Sequence, residues 1–387
     1  MAIKQIYLDN AATTRVDEKV VKAIMPSFSE KYGNPSSAHS FGKEARESIE
    51  KAREIIAKSI NAKSNEIYFT SGGTEANNLA LKGPFWHPEN MKNRKRNIIT
   101  TKIEHPSILE PCKFIEHHDA KVHYLNVNSE GLIDIKELEN SITHETLMVS
   151  VIQGNNEIGT LQEIEKIGKL CRSKGVLFHV DACQSFTKIK LDVIKQNIDL
   201  MTLNAHKIHG PKGIGVLFIR DGVKVVPMLQ GGGHEKNIRS GTENVAGIIG
   251  FAEAVKISSL KDVDKIAKLR DYTIKKILEI PETNLNGPNQ KNRLCNNINV
   301  SFKNIEGEAI GQYLENDGIF VSTGSACASH KLEKSHVLRA IGCSDFEINS
   351  SIRISLSKFT TKEEIDYFID RLILVVEKLR KMSPFAK

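Results

Sequence analysis

The sequence predicts a mostly parallel α/β sheet with helices on both faces, joined to a smaller α+β part, and three observations carry that expectation. At 387 residues the chain exceeds the range in which one hydrophobic core keeps growing. From residue 66 to about 220, short β-branched runs alternate with amphipathic stretches of helical length, the pattern of βα units. After Gly250 the composition turns rich in Lys, Asp and Glu, and a shorter α+β pattern replaces the alternation. The expected division is a large α/β domain over 15–258 and a small domain made from 1–14 with 259–387.

Taken in order, the strand-like run 3–10 can pack with either part. The large domain then offers apolar runs at 66–70 (EIYFT), 97–101, 122–125, 147–152, 176–180, 199–203 and 216–220. Helix-like segments separate several of them, at 76–82, 107–118 and 163–173, the last with Ile164, Ile167 and Leu170 on one face. Runs buried on both sides of a parallel sheet need this continuous apolar character. Beyond, a helix over 260–280 ends at Pro281, followed by a strand at 297–302, a helix at 308–316, strands at 319–321 and 351–356, and a final helix from Thr361. No internal repeat or low-complexity segment interrupts this order.

Composition narrows the function classes. Six cysteines show no CxxC spacing, which argues against a disulfide framework or a Cys-rich metal site, and no metal is expected. The opening MAIKQIYLDNAATTRVD has no apolar run behind basic residues, and no stretch approaches 18 uncharged apolar residues. A soluble chain of a reducing compartment, most simply the cytoplasm, with no membrane contact, is the expectation. The 54 basic and 47 acidic residues are interspersed, and the one cluster, KNRKR at 92–96, reads as a solvated loop before a strand rather than a nucleic-acid patch.

Two stretches carry chemistry. Thr70-Ser71-Gly72-Gly73-Thr74-Glu75 follows an apolar strand and opens a helix near Ala76. Free N–H groups at such a start, with a Thr hydroxyl beside them, suit a phosphate; a capped turn with Ser71 or Thr74 as N-cap is the plainer alternative. His179-Val180-Asp181-Ala182-Cys183-Gln184 ends one strand, and Ala205-His206-Lys207 follows the next, Lys207 lying 26 residues beyond Asp181. By itself this pair fits a buried salt bridge plus a surface lysine. Charged residues at two consecutive strand ends nevertheless share one rim of a parallel sheet, where ligands bind. A phosphate site, a carboxylate for a protonated pyridine nitrogen and an amine nucleophile together point to pyridoxal 5'-phosphate (PLP).

The resemblance then becomes specific. YLDNAATT at 7–14, YGNPSSAH at 32–39, TSGGTEANNLALKG at 70–83, EHPS at 104–107, NNEIGT at 155–160 and HVDACQ at 179–184 resemble the cysteine desulfurases of the NifS/IscS type, within the class-V aminotransferases. AHKIHGPKGIG at 205–215, GGGHE at 231–235, RSGTEN at 239–244, STGSACAS at 322–329 and SIRISL at 351–356 extend it in order over nearly the whole chain.

The resemblance implies a fold-type-I PLP enzyme, a homodimer with its sites at the subunit interface, that takes sulfur from L-cysteine and leaves L-alanine. It makes Lys207 the Schiff-base lysine and the base at the substrate Cα, and Asp181 the partner of the pyridine nitrogen. Gln184 would bond the ring hydroxyl, Asn156 would lie near the same edge and the substrate, and His105 would stack on the ring. Gly73, Thr74 and His206 would hold the phosphate, with Thr242 reaching across from a second subunit. Asn204 stands at a phosphate-binding position where the family usually has Ser or Thr, and Cys183 where it commonly has Thr; Cys183 reads as packing. Arg353 would clamp the substrate carboxylate with its two-pronged guanidinium. Cys327, in a run of small residues expected to form a mobile loop, would be the nucleophile that takes the sulfur as a persulfide and passes it to an iron–sulfur scaffold or a tRNA-thiolation relay. The other five cysteines read as small buried hydrophobes. A selenocysteine lyase, a cysteine β-lyase and a catalytically idle sulfur carrier are the alternatives.

Overall fold

The computed structural model describes residues 5–323 and 334–384. Cys327 therefore lies outside the described residues. The first eight strands are β1 (Ile6–Tyr7), β2 (Ile67–Thr70), β3 (Asn97–Thr101), β4 (Val122–Leu125), β5 (Thr146–Ile152), β6 (Leu177–Asp181), β7 (Leu200–Asn204) and β8 (Gly215–Ile219). The rest are β9 (Thr283–Leu285), β10 (Asn297–Phe302), β11 (Ile319–Phe320), β12 (Ser322–Thr323) and β13 (Ser351–Ser355).

The large sheet has seven strands in the order β2-β8-β7-β6-β5-β3-β4. All run parallel except β8, which is antiparallel to both neighbours. The link between β7 and β8 has no room for the crossover of a dozen or more residues that parallel pairing needs, so the chain turns straight back. Every residue of β5, β7 and β8 is buried. Successive side chains feed opposite cores: Met201 and Leu203 join Ile56, Ile167 and Phe251 on one face, whereas Leu200 joins Leu79 and Ile108 on the other. The helices Ser40–Ser59, Ile164–Lys174 and Val245–Lys256 supply the first face, and Gly73–Phe85 with Pro106–Glu116 the second.

Residues from 260–320 and 351–382 build a second core. The antiparallel sheet β12-β13-β10-β9 is covered by the helices Leu260–Leu278, Gly307–Asn316 and Lys362–Met382, with Ile298, Val300, Ile352, Phe368 and Leu372 inside. Residues 6–9 of the strand-like opening run pack with this part, because β1 pairs with β11, Asp9 bridges to Ser355, and Ile6 and Leu8 join the second core. A smaller cluster fastens the two parts: Val337, Leu338, Ile341 and Ile348 pack on Ile103, Ile152 and Ile158 beside the rim of the large sheet.

Several expectations shift. The helix expected near Ala76 begins at Gly73, placing Gly73 and Thr74 in its first turn. The 20-residue helix Ser40–Ser59, which covers much of one sheet face, was not anticipated. Among the described residues no helix is long and apolar enough to cross a membrane.

Candidate active site

Parallel strands put the C-terminal ends of β2, β3, β5, β6 and β7 on one rim. There Gly73, Thr74, His105, Asn156, Asp181, Gln184, Asn204, His206, Lys207 and Arg353 all line one cavity of about 340 Å³. Thr242 is exposed and lies in a different hollow, with Ser71 and Arg239. A larger groove of about 470 Å³ between the helices Leu260–Leu278 and Lys362–Met382 also holds Lys276, Arg380 and several carboxylates, but none of the residues the sequence singles out. Volume alone does not locate the chemistry.

Asp181 ends β6 almost fully buried. Its Oδ1 accepts the Cys183 N–H at 3.0 Å, and its Oδ2 accepts Asn77 Nδ2 at 2.8 Å. No cation pairs with it among the described residues, so the salt-bridge alternative fails. A buried carboxylate facing a cavity without its own cation calls for a cationic ligand group, which is what a protonated pyridine nitrogen offers.

Lys207 follows β7 and is half-buried, its Nζ donating to the carbonyls of Ala11 and Ala12. Loss of solvation first, and the Arg353 charge second, bring its pKa down to about 8. Gln184 Nε2 donates to the same Ala11 carbonyl at 2.9 Å. His105 caps the helix Pro106–Glu116 and presents its ring to the cavity. Although exposed to that opening, it sits deep enough that desolvation, ahead of the nearby charges, holds its pKa below the usual value.

The start of the 13-residue helix Gly73–Phe85 opens on the cavity and has the free N–H groups that suit an anion. A Cβ on Gly73 would meet Cys183 Sγ at 2.8 Å and Asn204 Nδ2 at 3.4 Å, so glycine lets these walls close together. Asn204 Oδ1 is buried with no hydrogen-bond partner among the described residues, so the amide is free to turn its nitrogen toward a bound anion. Loss of solvation, then the charge of Lys207, takes His206 down to about 4, so it stays neutral; its Nδ1 lies 3.2 Å from Thr13 Oγ1. The Cys183 thiol is pushed well above its usual pKa by burial and by Asp181, consistent with packing. These groups fit PLP: a helix start for its phosphate, Asp181 for its ring nitrogen and Lys207 for its aldehyde carbon.

Arg353 comes from β13 of the second part and is 5% exposed. Its Nη2 meets Asp9 Oδ1 at 2.8 Å and its Nη1 the Asn156 carbonyl at 3.2 Å. Residue-by-residue reading missed Asp9, Asn77, Glu104 and Ser107. Asp9 is the one acid within YLDNAATT, and its pairing with Arg353 spans most of the chain. Asn77 resembles its neighbour Asn78 in sequence, and only its burial sets it apart.

A doubly covered sheet with this rim site defines a PLP-dependent enzyme of the aminotransferase-like fold. The family model for class-V aminotransferases matches residues 6–368. The chain belongs to that family and, within it, to the cysteine desulfurases of the NifS/IscS type, which depend on PLP. It is 46% identical over 388 aligned positions to the cysteine desulfurase IscS of Dictyoglomus turgidum, covering 99% of this chain and 98% of the relative. A solved NifS-like protein superposes with a TM-score of 0.90 at 39% identity over 97% of this chain and 100% of its own. A structure described as "SspA in complex with cysteine" does so with a TM-score of 0.81 at 36% identity, over 92% and 100%.

Proposed function

We propose that the protein removes sulfur from L-cysteine, releasing L-alanine and leaving the sulfur as a persulfide on Cys327. The balance is one thiol plus one cysteine giving one persulfide plus one alanine, with no external oxidant or reductant. The convergence of Lys207, Asp181 and Arg353 in one cavity supports it most, and a relative of similar structure is described with cysteine bound.

Arg353 binds the substrate α-carboxylate and so points the Cα toward Lys207. Lys207, whose lowered pKa of about 8 leaves roughly a tenth of it neutral at pH 7, takes the Cα proton. PLP, when bound, supplies the electron sink conjugated to that carbon. Asp181 keeps a proton on the ring nitrogen and thereby keeps the sink effective. His105 would pack on the ring of that cofactor, Gln184 and Asn156 would hold its edge, and Gly73, Thr74, Asn204 and His206 would hold its phosphate, since all of them line the one cavity. Cys327 supplies the thiolate that accepts sulfur.

The working enzyme is a cytoplasmic homodimer in which Thr242 completes the partner's phosphate site; its place outside its own chain's cavity supports this. The persulfide passes to an iron–sulfur scaffold protein or a tRNA-thiolation relay. Mass spectrometry of the holoenzyme after incubation with cysteine, without reductant, tests the reading. One extra sulfur on Cys327 with matching alanine is expected, and Cys327→Ser should bind cysteine but release none. Sulfur carried on Cys183 or Cys343, or undiminished alanine from Cys327→Ser, would overturn it.

A further inference from the structure

We infer that Asn77 and Ser107 are positioning residues that tie the Asp181 carboxylate to His105 and fix the imidazole as the tautomer with its proton on Nε2. Asn77 lies on the helix Gly73–Phe85, 1% exposed, and its Nδ2 reaches both Asp181 Oδ2 and Ser107 Oγ at 2.8 Å. A carboxylate oxygen only accepts, so the amide turns its nitrogen toward Asp181. That orientation has a cost. Asn77 Oδ1 is left buried with no hydrogen-bond partner among the described residues, whereas a flipped amide would set that oxygen against the carboxylate.

Both amide hydrogens are then committed. Ser107 Oγ receives one, which leaves its own hydrogen for His105 Nδ1, 2.8 Å away. The Ser107 backbone N–H donates to the same nitrogen at 3.1 Å. With two donors upon it, Nδ1 carries the lone pair, and the single ring proton of neutral His105 sits on Nε2. Protonating the ring at Nδ1 would forfeit the backbone N–H bond and force the Ser107 hydroxyl to turn from donor to acceptor.

The charged and titratable groups that face His105 are Asp181 at the end of β6, Lys207 beyond β7, Glu157 beyond β5, and His336 at the start of the helix His336–Ala340, with Glu104 as its chain neighbour. Asp181 and Glu157 favour a charged ring, while Lys207 and His336 oppose it. Among the described residues none of these charged groups hydrogen-bonds a ring nitrogen of His105. The chain Asp181–Asn77–Ser107–His105 does, and it makes His105 a hydrogen-bond donor at Nε2 before any substrate arrives.

The consequence for rate rests on the desulfurase reading, but the tautomer is a property of the protein itself. The test is NMR of the holoenzyme carrying isotopically labelled histidine, with the His105 signals identified by their loss in His105→Gln. The parent should show the Nε2–H form. Ser107→Ala and Asn77→Leu should each raise the pH at which the ring protonates by about one unit, as expected for one lost hydrogen bond, and Ser107→Thr should restore it. In Ser107→Ala, kcat for alanine release should fall about tenfold while KM for cysteine stays within about twofold. Should Asn77→Leu not fold, Ser107→Ala removes one oxygen atom and carries the test alone. An Nδ1–H tautomer in the parent, or a titration unmoved in folded Ser107→Ala, overturns the inference. A parent that releases no alanine sinks the desulfurase reading and leaves the tautomer result standing.

Discussion

Lys207 should be the most reactive lysine of the chain, and its titration can be worked from its surroundings. Loss of solvation and the Arg353 charge bring it from 10.5 to about 8. At pH 7 that shift raises the neutral fraction roughly 300-fold over an ordinary lysine. The neutral amine still has two hydrogens for the Ala11 and Ala12 carbonyls, which leaves its lone pair free to attack. Pulse labelling of the cofactor-free protein with a small amine-reactive reagent across pH 6 to 11, read peptide by peptide in a mass spectrometer, should give half-maximal labelling of Lys207 near pH 8. Arg353→Gln removes the second cause while leaving the first, so the midpoint should rise but stay below that of exposed lysines. A Lys207 midpoint indistinguishable from theirs, or one that falls in Arg353→Gln, would refute the reasoning.

Two further outcomes are expected. Glu104 is fully buried, its Oε2 has no hydrogen-bond partner among the described residues, and burial takes its pKa up to about 8. The folded state therefore holds a proton that the unfolded state releases above its ordinary value near 4.5, and stability from this group falls as pH rises from about 5 to 8. Urea denaturation should show Glu104→Gln losing less stability than the parent over that window; parallel losses would contradict it. Mixed dimers of Lys207→Ala and Thr242→Ala chains should regain one site per dimer that carries neither substitution, and alanine release no higher than in either homodimer would place Thr242 outside the partner's site.

The parallel sheet was legible because each buried strand had to be apolar throughout, and the rim site because charged residues ended two successive strands. The helix Ser40–Ser59 was harder to read, since its buried stripe includes Gly42, Ala45, Ala52, Ala57 and Arg53, which carry little hydrophobic signal. Arg53 is buried only because Glu235, far along the chain, meets it at 2.8 Å, a pairing no local pattern announces. The same holds for Arg353 and Asp9. The reversal of β8 could have been read from the short spacing between the runs at 199–203 and 216–220, where no crossover helix fits. Asn77 and Ser107 were illegible for a different reason. Their hydrogen bonds join the helices Gly73–Phe85 and Pro106–Glu116 to β6, and such contacts exist only once the sheet order is known.

The opening segment has a consequence for how the molecule is born. Its β1 is held by β11 and its Asp9 by β13, while the carbonyls of Ala11 and Ala12 hold Lys207. A ribosome adding about 5–20 residues per second finishes the seven-stranded sheet well before β13 emerges. Throughout that interval Ile6 and Tyr7 wait for β11 and Asp9 for Arg353, and Lys207 lacks the guanidinium that tunes it. The reaction centre is therefore completed later than the strands that carry it are made.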